Sequence, residues 1–369
     1  MRRALIIGIA VVFAAIPTLV LAARFGIIKS IPVPNVVAGG DFSFDISYVD
    51  AASGRYMLSD RTNSAVDVFD ARTGKLIKLV KGFTGAAKTS SSSGPNGLAG
   101  IPGTSLVYAG DIGSIKLVDF MAGKIVASIP IPNAKMRTDE GCYDADDRVA
   151  MFANPDDLKP FVTWISTATN KRIARLQFVA DGLEQCVYDP HTKNFLVNND
   201  GTPKNPGGEV DVIPASSVLK NHPVISVAYA VPGCALAGMA LARDEKLLLG
   251  CSADKKGVKL LTLVMNAASG AILKMIAQVG GEDQVAYDDA RQRFYTASRD
   301  MTASGIAGKG AVTPVLGVID ARTLSWISNV PTGPNAHSVA TDAKTGRVFV
   351  PVAPSATSAG GINVYGYRN

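Results

Sequence analysis

One hairpin motif returns seven times along this chain, and it constrains the fold more than any other feature. In each copy an apolar strand ends in Asp or an equivalent residue, a turn follows, and a second apolar strand begins, as in DISYVDAASGRYMLSD and HSVATDAKTGRVFVPV. The interval between successive copies is 43 to 54 residues, which leaves room for four short strands in each repeat. The copies begin at Asp45, Asn96, Asp139, Glu184, Ala237, Asp283 and His337.

Two more apolar strands follow each hairpin, such as AVDVFD and then KLIKLV in the first repeat. The last repeat ends with GINVYGY and has no fourth strand, whereas residues 26–34, GIIKSIPVP, resemble a fourth strand that precedes the first repeat. Pairing these segments would remove two exposed sheet edges. The sequence therefore predicts an all-β, seven-bladed β-propeller with four-stranded antiparallel blades. An N-terminal strand completes the last blade, and residues 24–369 form a single domain.

Two segments of the chain resemble a known family of repeat proteins. Residues 57–80, MLSDRTNSAVDVFDARTGKLIKLV, and part of residues 315–331, VLGVIDARTLSWISNVP, resemble YVTN-repeat propellers, including the bacterial periplasmic YncE-like proteins. The resemblance covers nearly the whole chain after residue 23. It implies a propeller fold and favours a non-catalytic, exported binding protein, although propellers also carry lactonases, lyases and dehydrogenases.

The N-terminus has the pattern of an export signal. Arg2 and Arg3 precede an uninterrupted apolar run from Ala4 to Ala23, and small residues near its end suit cleavage after Ala22 or Ala23. An uncleaved membrane anchor is the alternative. Pro17 and the early first strand favour cleavage. We expect a periplasmic or secreted protein that contacts a membrane only if the segment is retained.

The four cysteines of an exported chain permit disulfides. Cys234 and Cys251 lie near opposite ends of one predicted hairpin, and Cys142 and Cys186 occupy nearly equivalent places in consecutive repeats, so these are the preferred pairs. Buried free thiols are the alternative. No CxxC or CxxCH spacing occurs, so the chain has no haem attachment motif. Although the net charge is +6, the basic residues are scattered, and no nucleic-acid partner is expected.

Polar side chains stand at equivalent positions where the first strands begin. In a propeller these strands line the central channel, so the side chains should form a ring at one mouth, with Glu140 and Glu282 beside it. Crowded carboxylates repel one another unless a cation or shared protons relieve them. A solvated structural ring is the alternative to a ligand site. The predicted ligand-binding residues are Asp45, Asn96, Asp139, Glu184, Asp283 and His337.

A divalent metal is the cofactor that this ring suggests. Asp45, Asp139, Glu184 and Asp283 would suit Ca²⁺ or Mg²⁺, and adding His337 would suit a transition metal. The alternative function is thus a metal-dependent hydrolase or lactonase, in which His337 with Asp283 or Asp45 could form a general base pair.

Four long loops should emerge on the face of the ring, at residues 82–97, 198–208, 300–311 and 353–361. Long loops on a rigid scaffold are common recognition elements. The sequence therefore predicts a polar funnel that presents these loops to a small ligand, a metal ion or an envelope protein. The recurrent aspartates before the hairpin turns are interpreted as turn-formers instead.

Overall fold

The computed structural model describes residues 24–254 and 256–368, which form seven four-stranded antiparallel sheets. The predicted signal peptide, residues 1–23, lies outside the described residues. Within the described ranges, no helix is long and apolar enough to cross a membrane. Only short helical segments occur there, α1 (Ala215–Leu219) and a 3₁₀ turn at Ser90–Ser92.

Each sheet is one blade, and the strands of six blades follow chain order from the channel outwards. Blade 1 contains β2 (Phe44–Asp50), β3 (Arg55–Asp60), β4 (Ala65–Asp70) and β5 (Leu76–Lys81). Blade 2 contains β6 (Leu98–Gly100), β7 (Leu106–Asp111), β8 (Ser114–Asp119) and β9 (Lys124–Pro130). Blade 3 contains β10 (Gly141–Asp144), β11 (Val149–Asn154), β12 (Phe161–Ser166) and β13 (Lys171–Gln177).

The next three blades repeat this order. Blade 4 contains β14 (Leu183–Asp189), β15 (Asn194–Asn199), β16 (Glu209–Pro214) and β17 (Val227–Ala230). Blade 5 contains β18 (Leu236–Leu241), β19 (Lys246–Cys251), β20 (Thr262–Asn266) and β21 (Ile272–Ile276). Blade 6 contains β22 (Val285–Asp288), β23 (Arg293–Ser298), β24 (Val315–Asp320) and β25 (Ser325–Pro331).

Blade 7 confirms the predicted closure of the ring. It contains β26 (Ala340–Asp342), β27 (Arg347–Val352), β28 (Gly361–Tyr367) and, as its fourth strand, β1 (Phe25–Ile31). The antiparallel register joins Phe25 to Tyr367 and Ile31 to Ile362. The strand begins one residue before the predicted segment and ends at Ile31, three residues short of Pro34.

Burial along the strands follows from the stacking of blades against one another. The second strand of a blade is covered on both faces, as in β11, where every residue is buried. The outermost strand lies at the perimeter, and β9 alternates between exposed and half-buried residues over most of its length. This is why second strands read as continuous apolar runs, whereas outer strands alternate.

The core consists of seven apolar clusters, each lying between two neighbouring blades. In one of them Trp164 of blade 3 packs edge-on against Phe195 of blade 4, with ring centroids 6.0 Å apart. Tyr56 of blade 1 stacks on Phe349 of blade 7 at 4.8 Å, so the first and last blades share a core as well. Burial between blades thus extends around the full ring.

The four cysteines form the two pairs that the sequence favours. Cys142 and Cys186 join the innermost strands of blades 3 and 4, with Cα atoms 5.7 Å apart. Cys234 and Cys251 are bonded within the hairpin region of blade 5, with Cα atoms 4.9 Å apart. One disulfide therefore crosses a blade interface, and the other closes a local loop.

The recurrent aspartates before the hairpin turns act as turn-formers. Each accepts a hydrogen bond from the backbone N–H two or three residues later, over 2.8 to 3.1 Å. In the first hairpin Gly54 closes the turn with φ of 66°, a conformation that costs glycine little. These carboxylates stabilise turns at the end of the blades away from the ring. They are Asp50, Asp144, Asp189, Asp288 and Asp342.

Candidate functional site

A funnel-shaped cavity of about 720 Å³ opens at the mouth of the channel where the first strands begin. Five of the six polar residues predicted for this ring line it, together with Glu140 and Glu282. The repeat alignment therefore brings side chains from distant parts of the chain to one cavity. The predicted residues that line it are Asp45, Asp139, Glu184, Asp283 and His337.

Asn96 corrects the prediction, because it lies beneath the cavity wall and is fully buried. Its side-chain oxygen accepts a hydrogen bond from Nε of Arg61 at 3.0 Å, and its amide nitrogen donates to the carbonyl of Thr138 at 3.2 Å. These bonds turn the amide away from the open space. Asn96 positions a guanidinium and does not meet a ligand directly.

Three arginines that sequence reasoning did not single out also line the funnel. Arg61 bonds to Asp45 through Nη2 and Oδ2. Arg299 pairs with Asp283, with Nη1 2.7 Å from Oδ2. Arg137 contacts Asp139 at 2.9 Å through Nη1. Three of the four carboxylates in the predicted ring are therefore paired with arginines of the protein itself, without an added cation.

Two of these arginines occupy equivalent positions of the repeat, so the sequence could have identified them. Arg61 follows the second strand of blade 1 and stands sixteen residues after Asp45, and Arg299 stands sixteen residues after Asp283 in blade 6. Aligning the blades at the end of the second strand would have placed both on the ring face. The same position in blade 4, sixteen residues after Glu184, holds Asp200.

Glu140 and Glu184 differ from the paired aspartates. Both line the funnel, and neither carboxylate takes part in a hydrogen bond or ion pair with residues 24–254 or 256–368 as described. Burial, and then the charges of Asp139 and Asp45, raise the pKa of Glu140 well above its ordinary value. Burial, followed by the charge of Asp283, does the same to the pKa of Glu184.

The aspartates of the ring titrate differently because their surroundings differ. Burial raises the pKa of Asp139 to about 7, since it and the charge of Asp45 outweigh the attraction of Arg137. Burial alone would also raise the pKa of Asp45, but Arg61 and His337 bring it well below its usual range. The funnel thus holds one carboxyl whose pKa is lowered and several whose pKa values are raised.

Glu282 is 1% exposed and bonded to the wall of blade 5. Its Oε2 accepts the backbone N–H of Cys251 at 3.1 Å, and its Oε1 bonds to the hydroxyl of Thr262. Burial raises the pKa of Glu282 to about 8 in spite of these two bonds. This side chain therefore closes the funnel wall in its protonated form at neutral pH.

His337 stands beside Asp45 where blades 7 and 1 meet, and it is held through one ring face and one ring nitrogen. It stacks on Phe44 with centroids 4.5 Å apart, and its Nδ1 lies 2.9 Å from the carbonyl of Asn335. Its Nε2 is 3.6 Å from Oδ1 of Asp45. Of the two possible base pairs, the structure therefore forms His337 with Asp45, while Asp283 is bound by Arg299.

Below the funnel, side-chain amides link the innermost strands across the channel. Oε1 of Gln185 in blade 4 accepts N–H bonds from Met239 of blade 5 at 2.8 Å and from Val285 of blade 6 at 3.2 Å. Gln284 accepts the N–H of Val339 in blade 7 at 2.9 Å. These amides tie the innermost strands of blades 4 to 7 to one another, although neither glutamine lines the funnel.

The metal prediction stays untested by this arrangement. Among the residues described, no three His, Cys, Asp or Glu side chains are grouped so that they could hold one ion. Asp45, Asp139 and Asp283 are instead bonded to arginines. Because Ca²⁺ and Mg²⁺ need several oxygens within about 2.6 Å of one point, the four predicted ligands do not form a preorganised site.

Two of the four predicted loops reach the funnel. Ala86, Ala87 and Ser90 belong to the loop at residues 82–97, and Ala353 and Pro354 belong to the loop at 353–361. Arg299 lines the cavity just before the loop at 300–311. Residues 198–208 and 300–311 do not contribute to the lining, so recognition through these two loops has no support from the cavity.

The comparisons with known proteins agree on the fold. No family model matches the chain, and no curated protein matches its sequence. Many solved structures are similar in shape, and three of them, all at low identity, illustrate the likeness. "Kuenenia stuttgartiensis Hydrazine Synthase" has a TM-score of 0.64 and 15% identity, covering 92% of this chain and 98% of that one.

The other two are "Structure of U3-55K" and "Crystal structure of RRP9 WD40 repeats". The first has a TM-score of 0.67 and 10% identity over 92% of this chain and 99% of that chain. The second has a TM-score of 0.69 and 9% identity over 94% and 100%. Likeness at this identity concerns the fold alone. Together with the seven closed blades, it establishes that this chain is a seven-bladed β-propeller.

Proposed function

We propose that this protein is an exported propeller that binds a small polar ligand in its funnel. The observation that carries the proposal is the cavity itself, about 720 Å³ with a polar and charged lining that six blades contribute. Such a volume suits an organic molecule, since small-molecule sites usually enclose roughly 300–1,000 Å³. The YVTN-like repeats and the basic-then-apolar start of the sequence support an exported binding protein.

The metal-dependent hydrolase is the weaker alternative. It needs an ion held at one point, and the described carboxylates are separated or bonded to arginine. Metal analysis of the purified chain tests it, and stoichiometric Ca²⁺, Mg²⁺ or a transition metal would favour it over the binding function.

A blocked-funnel variant tests the binding function. Ala87 is exposed at the funnel mouth, so Ala87→Trp should obstruct entry without disturbing a core. Ala122, exposed in the turn between β8 and β9, gives the matched control Ala122→Trp. A library of small polar molecules is screened by thermal shift against the three proteins.

We expect at least one class of molecule to stabilise the wild type and the Ala122→Trp control but not Ala87→Trp. If no molecule shows this difference, the funnel is not a ligand site and the proposed function is wrong.

A further inference from the structure

Glu140 is a buried carboxylate that points into the funnel without a partner. It is 5% exposed and lines the cavity, yet no hydrogen bond or ion pair within the described residues satisfies it. Burial of an ionisable group is costly unless it is paired or hydrogen-bonded. Glu184, half-buried on the neighbouring blade, also lines the cavity and has no hydrogen bond or ion pair within the described residues.

The three arginines that line the funnel already pair with aspartates. Arg61 and Arg299 are bonded to the aspartates of blades 1 and 6. Arg137 is the cation whose charge acts on Glu184, but it already pairs with Asp139 at 2.9 Å and with Asp156 at 2.7 Å. The side of the funnel formed by blades 3 and 4 is therefore short of positive charge.

The cavity as a whole also has more acidic than basic side chains in its lining. Eight carboxylates and three guanidiniums line it, although the complete chain has a net charge of +6. Glu282 keeps its proton and the pKa values of Asp139, Glu140 and Glu184 are raised, so a cationic ligand would relieve the crowding of these acids. The carboxylates are Asp41, Asp45, Asp139, Glu140, Glu184, Asp254, Glu282 and Asp283.

The geometry favours an organic cation over a metal ion. A metal requires ligands at a single point, and no such group occurs in the described part of the chain. An alkylammonium carries its donors on a body that can extend across a cavity of this volume. On the blade 1 side the wall is less polar, since the largely buried rings of Phe42 and Phe44 line the funnel there with centroids 4.6 Å apart.

We infer that Glu140 and Glu184 bind the ammonium group of a small organic amine whose carbon chain extends towards the aromatic wall. This inference rests on the proposed function, because it assigns a ligand class to the same funnel. The disulfide Cys142–Cys186 supports it structurally. Each cysteine lies two residues beyond one of the glutamates, so the bond fixes the two strands that carry them.

Calorimetry on the purified full-length chain tests the inference with 1,4-diaminobutane and, as the uncharged analogue of equal length, butane-1,4-diol. We expect the diamine to bind and the diol not to bind. Charge-assisted hydrogen bonds contribute strongly to binding, so Glu140→Gln and Glu184→Gln should each lower the affinity for the diamine about 10- to 100-fold. Asp289→Asn makes the same change in net charge at an exposed site and should leave the affinity unchanged.

Three results would overturn the inference: no binding of the diamine, equal binding of the diol, or unchanged diamine affinity in both glutamine variants. Thermal melting of each variant verifies folding, and Glu184→Gln changes a side chain that is only half-buried. Another small molecule could bind the wild type but not Ala87→Trp while the diamine does not bind at all. In that case the inferred ligand class is wrong and the proposed function stands. If no molecule distinguishes Ala87→Trp, both are wrong.

Discussion

Glu282 should make the stability of the propeller depend on pH. The side chain is 1% exposed, and its pKa rises from an ordinary value of 4.5 to about 8. Between these values the folded protein retains a proton that the unfolded chain releases. The free energy of unfolding therefore falls as the pH rises through this interval. The contribution is complete below about pH 4.5 and is lost by about pH 8.

The magnitude follows from the width of that interval. At about 1.4 kcal/mol for each pH unit, the interval amounts to about 5 kcal/mol. Glu282→Gln should remove this dependence, because an amide imitates the protonated acid. Its oxygen can accept the N–H of Cys251, and its NH₂ can donate to Thr262, whose hydroxyl lies 3.2 Å from the carbonyl of Val279.

Urea unfolding of wild type and Glu282→Gln between pH 5 and 9 measures the effect. We expect similar stability at pH 5 and an advantage for the variant that grows by several kcal/mol towards pH 8 and then levels off. For Asp289→Asn, at an exposed ion pair, the free energy of unfolding should instead show the same pH dependence as that of the wild type. A constant difference between wild type and Glu282→Gln across this pH range would refute the reasoning.

Three other perturbations test the packing of the ring. Arg61→Met leaves a buried carboxylate unpaired and should cost about 3–5 kcal/mol in urea unfolding, whereas Arg243→Met at an exposed pair should cost less than about 1 kcal/mol; equal costs would contradict the burial argument. Cys142→Ala opens a loop of 44 residues and Cys234→Ala one of 17, so loop entropy predicts losses of about 4 and 3 kcal/mol; the reverse order would refute it. Deleting residues 25–31 exposes the edge of blade 7 and should cause self-association in light scattering; a stable monomer of unchanged urea midpoint would show that closure contributes little.

The repeats alone determined the architecture. The alternation of apolar runs with turns predicted seven four-stranded blades, because each blade is a local unit whose strands pair in chain order. The closing strand was also visible, since a repeat without a fourth strand at one end matched an unpaired strand at the other. Only its limits differed, ending at Ile31.

The aspartates of the hairpin turns and the positions of the ring could be predicted for the same reason. Equivalent places in a repeat occupy equivalent places in space, so Asp45, Asp139, Glu184, Asp283 and His337 reach one cavity. What the period leaves open is where each side chain points.

Only the tertiary structure decided which carboxylates are neutralised. Asn96 has a ring position but turns beneath the wall to hold Arg61, and Arg137 reaches its aspartate from outside the aligned strands. Such pairing depends on side-chain conformations and on contacts between residues that the repeat does not align. Burial, which raises the pKa values of Glu140 and Glu282, likewise arises only when seven blades close around one axis.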